Sequence, residues 1–226
     1  MKNSLIALSL VLLLCQGCEK PEVNAQIFVY NNDFRTQDFT GLSGVFISRF
    51  NNNLMMGPFN NSGFTLTLND LPEHDYIRVV FNLFIHDSWE GNSNDTESDE
   101  PDHDAWFMEF EPDEDINPAD KIIFETTFSN ALCLPGWCFN QSYPNEFPSH
   151  NDARTGALRN ILPGRCLWKD TPNGTSVYRI DKIFPHTRPS TVISFYDKLK
   201  QDIDFSPICE ESWSLDKLAV SVFTTD

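Results

Sequence analysis

The residues with the clearest chemical potential are carboxylates that follow a hydrophobic run in the middle of the chain. From Asp87 to Asp120 there are fourteen Asp and Glu and no Lys or Arg. Asp87 directly follows the hydrophobic run, Gly91 permits a tight turn, and Asp102 precedes the next apolar segment. Carboxylates held at strand ends can supply the roughly six to eight oxygens that Ca²⁺ takes, although the spacing of an EF-hand loop is missing. The stretch therefore predicts a cation site with a solvated rim, and a wholly solvated loop is the alternative.

The C-terminal region repeats part of this pattern. The segment from Glu210 to Val220 reads EESWSLDKLAV, in which carboxylates flank a Ser-Trp pair, as they also do in DSWEGN around Trp89. Trp89 and Trp213 have two possible roles. Each is either an apolar plug that seats its loop on the core or an exposed platform on which the ring of a sugar ligand stacks.

Catalytic arrangements are poorly represented in the chain. Glu109 and Glu111 lie on one face of a predicted strand, and paired carboxylates are what a polysaccharide hydrolase uses as acid and base. Simple surface exposure explains this pair better. GxSxG serine motifs, HExxH zinc motifs and glycine-rich phosphate loops are absent from the sequence. The sequence favours a non-catalytic protein, with a surface polysaccharide hydrolase as the alternative.

The N-terminus has the pattern of an export signal. A lysine precedes an apolar run from Leu5 to Leu14, which is shorter than the roughly 20 residues that span a bilayer. A glycine before Cys18 fits the cleavage site of a bacterial lipoprotein, in which that cysteine carries lipid, although Cys15 stands where Leu is usual. We predict export to the bacterial cell envelope, with lipid anchoring at the outer membrane or plain secretion. The predicted segments are a signal peptide at 1–17, a lipid-anchored tether at 18–25 and one domain at 26–226.

Four cysteines remain in the exported domain, an even number that suits disulfides in an oxidising compartment. The spacing in CLPGWC makes Cys133 and Cys138 the favoured local pair, which leaves Cys166 and Cys209 as a long-range pair. The sequence alone permits three pairings. A zinc site is less favoured because no CxxC pair occurs.

The overall charge limits the partners of the protein. The chain has 33 acidic and 16 basic side chains and a formal net charge of -17. Such a surface repels nucleic acid and anionic lipid headgroups, so membrane contact is expected only through the N-terminal lipid. The expected partners are metal cations, neutral hydroxyl-rich molecules such as glycans, or another cell-surface protein.

Short segments of alternating apolar and polar residues recur along the chain and predict an all-β sandwich or barrel. The longest, Tyr76 to Ile85, has apolar residues on one face and a mixed set on the other, which predicts a central strand. Only the stretch from His150 to Leu162 has helical leanings. The predicted strands are Gln26–Tyr30, Val45–Phe50, Phe64–Leu68, Tyr76–Ile85, Ala105–Phe110, Lys121–Phe128, Ser176–Phe184, Thr191–Tyr196 and Leu218–Phe223.

Several of these segments, taken in order, resemble secreted bacterial modules that have no settled functional name. The matching segments are DSWEGN at 87–92, PD at 101–102, TTFSN at 126–130, QSYP at 141–144, VYRI at 177–180, FPH at 184–186 and ESWSLDKL at 211–218. They cover most of the chain from about Leu66 onward. The chain departs from the family pattern at Glu90, Ser214 and Lys217, where the modules have Asp, Gly and Asn.

The resemblance implies a single jelly-roll β-sandwich of the lectin and carbohydrate-binding type. In such modules, and in similar MAM-type adhesion domains, an Asp of the last strand helps to hold a structural calcium ion. Carried over by position, this nominates Asp216 with Asp33 as its partner, unless Lys217 neutralises Asp216 instead. Together with the acidic stretch, the predicted Ca²⁺ ligands are Asp33, Asp87, Asp102 and Asp216. We therefore expect a non-catalytic module that binds a glycan or a surface protein.

Overall fold

The computed structural model describes residues 23–36, 38–92, 103–111, 122–130, 139–200 and 206–225. Within these residues the chain forms twelve β-strands and one short helix. They are β1 (Val23–Asn32), β2 (Leu42–Ser43), β3 (Ile47–Phe50), β4 (Asn53–Phe59), β5 (Gly63–Leu68), β6 (Tyr76–Asp87), β7 (Ala105–Glu111), β8 (Ile122–Thr127), β9 (Arg159–Leu162), β10 (Thr175–Pro185), β11 (Thr191–Lys198), α1 (Pro207–Glu210) and β12 (Glu211–Thr225).

The strands form two antiparallel sheets that pack as a sandwich. The larger sheet has the order β3-β4-β12-β6-β10-β9, and β1 pairs with the C-terminal part of β12 on the same side as β4. The smaller sheet has the order β2-β5-β11-β7-β8. Aromatic contacts join the two inner faces, for example Phe81 to Phe195 and Trp106 to Trp213. The predicted all-β antiparallel sandwich is confirmed.

Strand β6 is central in the larger sheet, as its alternating pattern predicts. It pairs with β12 on one side and β10 on the other. Its odd-numbered residues from Ile77 to Ile85 are buried in the core, and the even-numbered ones from Tyr76 to Phe84 are only half-buried on the outer face. Because side chains alternate between faces, this strand supplies both the core and the floor of the outer face.

Two predicted elements differ most from the observed ones. The stretch from His150 to Leu162 is not helical but consists of turns that lead into β9, because β9 pairs with the edge of β10. Strand β12 begins at Glu211 rather than at Leu218, because ladder bonds to β6 continue through the Ser-Trp segment. In both cases pairing with a distant strand overrides the local sequence preference.

A second, smaller hydrophobic cluster covers one end of the outer face of the larger sheet. It contains Phe50, Met55, Leu162 and Val177, with Phe84 packed against it. These residues come from the β3–β4 hairpin, from β9 and from the central strands. The rest of the outer face is not covered by this cluster, and the pocket described below lies at its margin.

The disulfide between Cys166 and Cys209 is formed, with an S–S distance of 2.07 Å, as the cysteine spacing predicts. Cys133 and Cys138 lie outside the described residues, as do Cys18 and the signal segment. Among the described residues, no helix has the length and apolarity that membrane crossing requires.

Candidate functional site

Both tryptophans of the repeated Ser-Trp pattern are buried. Trp89 and Trp213 have no solvent-exposed surface. Trp89 Nε1 donates to the carbonyl oxygen of Ser212 at 3.0 Å, and Trp213 Nε1 donates to the carboxylate of Asp197 at 2.8 Å. The two residues seat their segments on the core, and the prediction that they bind ligand as exposed stacking platforms is wrong.

Asp87 anchors a loop of its own chain. It is the last residue of β6, it is fully buried, and its φ is 64°. Its carboxylate accepts backbone N–H bonds from Arg165 at 3.1 Å, from Cys166 at 3.3 Å and from Trp168 at 2.9 Å. Burial raises the pKa of Asp87, while these donors and the charge of Arg165 act to lower it. A side chain at Gly164 would collide with this carboxylate, so the loop needs glycine there.

Replacement of Asp87 by Asn should destabilise the protein by about 2 kcal/mol, because an amide NH₂ replaces one acceptor oxygen and leaves a buried N–H unsatisfied. Urea unfolding monitored by tryptophan fluorescence measures the change. Asp170→Asn, at an exposed turn, is the matched control and should alter the free energy of unfolding little. Equal effects of the two substitutions would contradict the anchoring role of Asp87.

The structure does not bring Asp87 and Asp216 together. Glu211 is the β12 partner of Asp87, whereas Asn82 is the β6 partner of Asp216. Five positions along β6 therefore separate the two carboxylates, about 17 Å at roughly 3.3 Å per residue. The predicted ligands from the acidic stretch and from the last strand thus do not share one site.

Asp33 does lie close enough to Asp216 for their charges to interact. Burial is the main cause that raises the pKa of Asp216, and the charge of Asp33 adds to it, but Lys217 and Arg35 act on the same carboxylate in the opposite direction. Within the described part of the chain there is no group of three or more His, Cys, Asp and Glu that could hold a metal. These residues do not fit a calcium ion, which takes roughly six to eight oxygens. Calcium stays a prediction that now rests on Asp102 and the acidic stretch, outside the described residues.

The segments that carry the family resemblance meet in a buried hydrogen-bond network. Gln141 Oε1 accepts from the hydroxyl of Tyr178 at 3.1 Å and from the backbone N–H of Ser129 at 3.2 Å. Asn92 Oδ1 accepts from the hydroxyls of Thr127 and Ser142, and all of these side chains except that of Asn92 are fully buried. Unsatisfied polar groups at such positions are costly, so the network fixes the loops to the strand ends. The shared motifs therefore maintain the scaffold.

Two carboxyl groups are buried side by side where the acidic stretch rejoins the smaller sheet. Asp104 and Glu211 share a hydrogen bond, and Asp104 also accepts the backbone N–H of Glu90 at 2.7 Å and that of Lys200 at 3.2 Å. Burial raises the pKa of Asp104 to about 7. Burial and the neighbouring carboxylates raise the pKa of Glu211 well above its ordinary value. The pair keeps a proton near neutral pH, but exposures of only 4% and 3% leave little surface for a substrate.

The carboxylate pair proposed for a hydrolase is not accessible at the residue that the structure describes. Glu109 is 7% exposed and accepts a hydrogen bond from the Tyr196 hydroxyl at 2.7 Å. The side chain of Glu111 lies outside the described part. Nothing in the position of Glu109 favours an acid or base that reaches a polysaccharide.

A pocket of about 290 Å³ lies on the outer face of the larger sheet. This volume is at the lower end of small-molecule sites, roughly 300 to 1,000 Å³. Its floor follows from strand register, because Phe84 of β6 lies opposite Val177 of β10 and Asn82 of β6 lies opposite Asp216 of β12. The other lining residues are Arg35, Asn53, Leu158, Arg159 and Lys217.

A β-bulge in β12 shapes one side of this pocket. The register to β6 is irregular between Asp216 and Ala219, and Lys217 within the bulge has a φ of 59°. A lysine in this left-handed conformation costs roughly 1 kcal/mol, and bulges that re-aim side chains are common beside functional sites. The bulge also lies where the outer neighbour of β12 changes from β4 to β1. It places Asp216 and Lys217, adjacent in sequence, in the lining of one pocket.

The pocket is locally basic on an acidic protein. Arg35, Arg159 and Lys217 line it, against the single carboxylate of Asp216. Burial raises the pKa of Asp216, and the charges of Lys217 and Arg35 act to lower it. Even when Asp33, which lies 3.8 Å from the Arg35 guanidinium, is included, three positive charges face two negative ones. The pocket can therefore offer amide, cationic and carboxylate groups beside apolar surface.

No model of a known protein family matches the chain, and no curated protein is significantly similar to it. The resemblance to secreted modules accordingly stays an expectation from the motifs.

Sequence reasoning found one residue of the pocket and missed most of the others. Asp216 was nominated, although as a calcium ligand. The alternation of β6 marked Asn82 and Phe84 as outward-facing, which is a usable signal for a surface site. Arg159 comes from the stretch with helical leanings, and no local pattern indicates that it joins the same pocket.

Proposed function

We propose that this protein is an exported, non-catalytic binding module that holds a glycan in the pocket above Asn82. The observation that carries the proposal is the mixed lining, in which amide and charged groups share one small concavity with Phe84 and Leu158. A sugar ring has hydroxyl groups around its edge and C–H groups on its faces, so its recognition needs both kinds of surface. A small concave pocket suits such a ligand better than a flat protein surface does.

Each lining residue has a role in this proposal. The amides of Asn53 and Asn82 donate to and accept from sugar hydroxyls, and the carboxylate of Asp216 accepts from them. Phe84 and Leu158 pack against the ring face. Because Asn82 and Asp216 stand on neighbouring paired strands, their positions are set before the ligand arrives, which reduces the entropic cost of binding.

The proposed location is the bacterial cell envelope, with lipid on Cys18 and the residues from 19 up to the start of β1 at Val23 as the tether. Two observations support export. The N-terminal segment has the pattern of a signal peptide, and the Cys166–Cys209 disulfide is a bond that persists in oxidising compartments.

A glycan array followed by calorimetric titration of the glycans that bind tests the function. We expect Asn82→Ala to weaken the affinity for a bound glycan at least tenfold, because one hydrogen-bonding group of the floor is lost. Thr67→Ala, at an exposed position on the outer face of the smaller sheet, should leave the affinity unchanged. Absence of any glycan binding, or binding that survives Asn82→Ala, would overturn the proposal.

A further inference from the structure

We infer that the glycan recognised by this pocket is anionic and carries a carboxylate or sulfate group on the sugar residue above Asn82. The inference rests on the proposed function and names the ligand class of the same site. It departs from the expectation of a neutral glycan, which the net charge of -17 suggested.

The first argument is the contrast between the pocket and the whole chain. Acidic side chains outnumber basic ones about two to one, 33 to 16, yet three of the nine residues that line the pocket are basic and one is acidic. A cleft in which one sign of charge predominates raises the local concentration of ligands of opposite sign. Here that sign favours an anion.

The second argument is that two arginines on the same face differ in whether a carboxylate neutralises them. Arg78, also outward-facing on β6, is neutralised by Asp181 through two hydrogen bonds of 2.7 and 2.5 Å. Arg159 forms no salt bridge or side-chain hydrogen bond to another described residue. An arginine that stabilises the fold has its guanidinium group hydrogen-bonded to a carboxylate, as Arg78 has. The guanidinium group of Arg159 has no such acceptor among the described residues and can therefore bind an anionic group of a ligand.

The third argument is the placement of the charges around the floor. Lys217 stands on β12 and Arg159 on β9, with β6 and β10 between them. Three strand spacings of roughly 4.8 Å separate the two backbones by about 14 Å, across which long side chains can close on a single sugar residue. Asn82 and Phe84 lie on the intervening strand β6. A sugar that packs on Phe84 therefore meets a cation at either side, while Asp216 is left to accept from a hydroxyl.

Calorimetry with three sets of oligosaccharides of equal length tests the inference: uronate oligomers, sulfated oligomers and their neutral counterparts. At 50 mM salt we expect one anionic class to bind at least tenfold more tightly than its neutral counterpart, and its affinity to fall as salt rises to 300 mM. The class with the higher affinity identifies the anionic group. Arg159→Gln and Lys217→Gln should each remove most of this preference without lowering the melting temperature, since both residues are exposed.

Lys169→Gln removes one exposed positive charge outside the pocket and is the matched control. Loss of the preference in the control, or retention of it in Arg159→Gln, would overturn the inference. If neutral glycans bind as tightly as anionic ones and the binding still depends on Asn82, the inference fails while the proposed function stands. Absence of binding by all three sets overturns both.

Discussion

Glu211→Gln is expected to make the protein more stable than the wild type at pH 8.5, with a smaller gain or none at pH 5. The difference in free energy of unfolding between variant and wild type should change by on the order of 3 kcal/mol across this range. The cause is the buried pair of Asp104 and Glu211, which must give up its shared proton as the pH rises.

The sign follows from the direction of the two pKa shifts. In the folded state the pKa of Asp104 is raised to about 7, and that of Glu211 is raised as well, whereas unfolding restores ordinary carboxyl values near 4. The folded protein therefore binds more protons, and the stability that the protonated pair contributes is lost as the pH rises through about 7. Glutamine at 211 does not ionise and can donate to the Asp104 carboxylate at every pH.

Comparison of the variant with the wild type at each pH removes the contribution of other groups. His186 in particular acts in the opposite direction, because burial and the neighbouring His74 lower its pKa to about 4. This depressed pKa makes the folded protein lose stability as the pH falls from about 6.5 towards 4. Glu73→Gln, at an exposed position, is the control and should follow the wild type at each pH. A pH profile for Glu211→Gln parallel to that of the wild type would contradict the shared proton.

Removal of the Cys166–Cys209 disulfide should lower the free energy of unfolding by about 4 kcal/mol, because the bond closes a loop with a sequence separation of 43 residues. The double variant Cys166→Ala/Cys209→Ala tests this better than a reductant, which acts on every disulfide of the chain. Urea unfolding of the double variant and of the oxidised wild type gives the difference. A loss below about 1 kcal/mol would contradict a stabilising role for this bond.

The disulfide and the Asp87 anchor should not act independently. Both hold the loop that contains Arg165 and Trp168, Asp87 through backbone N–H bonds and Cys166 through sulfur. When either the disulfide or the Asp87 carboxylate is removed, the loop becomes less ordered, and the remaining interaction then stabilises the folded state less. We therefore expect Asp87→Asn to cost less in the double cysteine variant than in the wild type, and a full thermodynamic cycle measures the coupling.

The sequence by itself determined the class of fold and much of its strand pattern. The alternation from Ile77 to Ile85 predicted a central strand with one buried face, because burial on one side of a sheet imposes a period of two on neighbouring residues. Cysteine spacing likewise favoured the pair Cys166 and Cys209. Both are local or countable properties of the chain, and the structure agrees with them.

The role of individual polar and aromatic residues was decided only by tertiary structure. The sequence was compatible with two roles for Trp89 and Trp213, either as buried anchors of their loops or as exposed stacking surfaces for a ligand. Only the folded structure shows that both are buried in the core. Asp87 looked like a metal ligand until the loop from Arg165 to Trp168 supplied its hydrogen-bond donors. A side chain has the same identity in either environment, and its partners come from parts of the chain that local pattern does not specify.

The pocket depends even more on tertiary structure. Asn82, Arg159 and Lys217 belong to three different strands, and strand register and the bulge at Lys217 bring them to one place. Strand register depends on pairing between distant segments. It is determined by how the buried faces of the paired strands pack together and not by the residues next to each position. Composition therefore predicted an acidic protein with cationic or neutral ligands, whereas strand register places three basic side chains around one concavity.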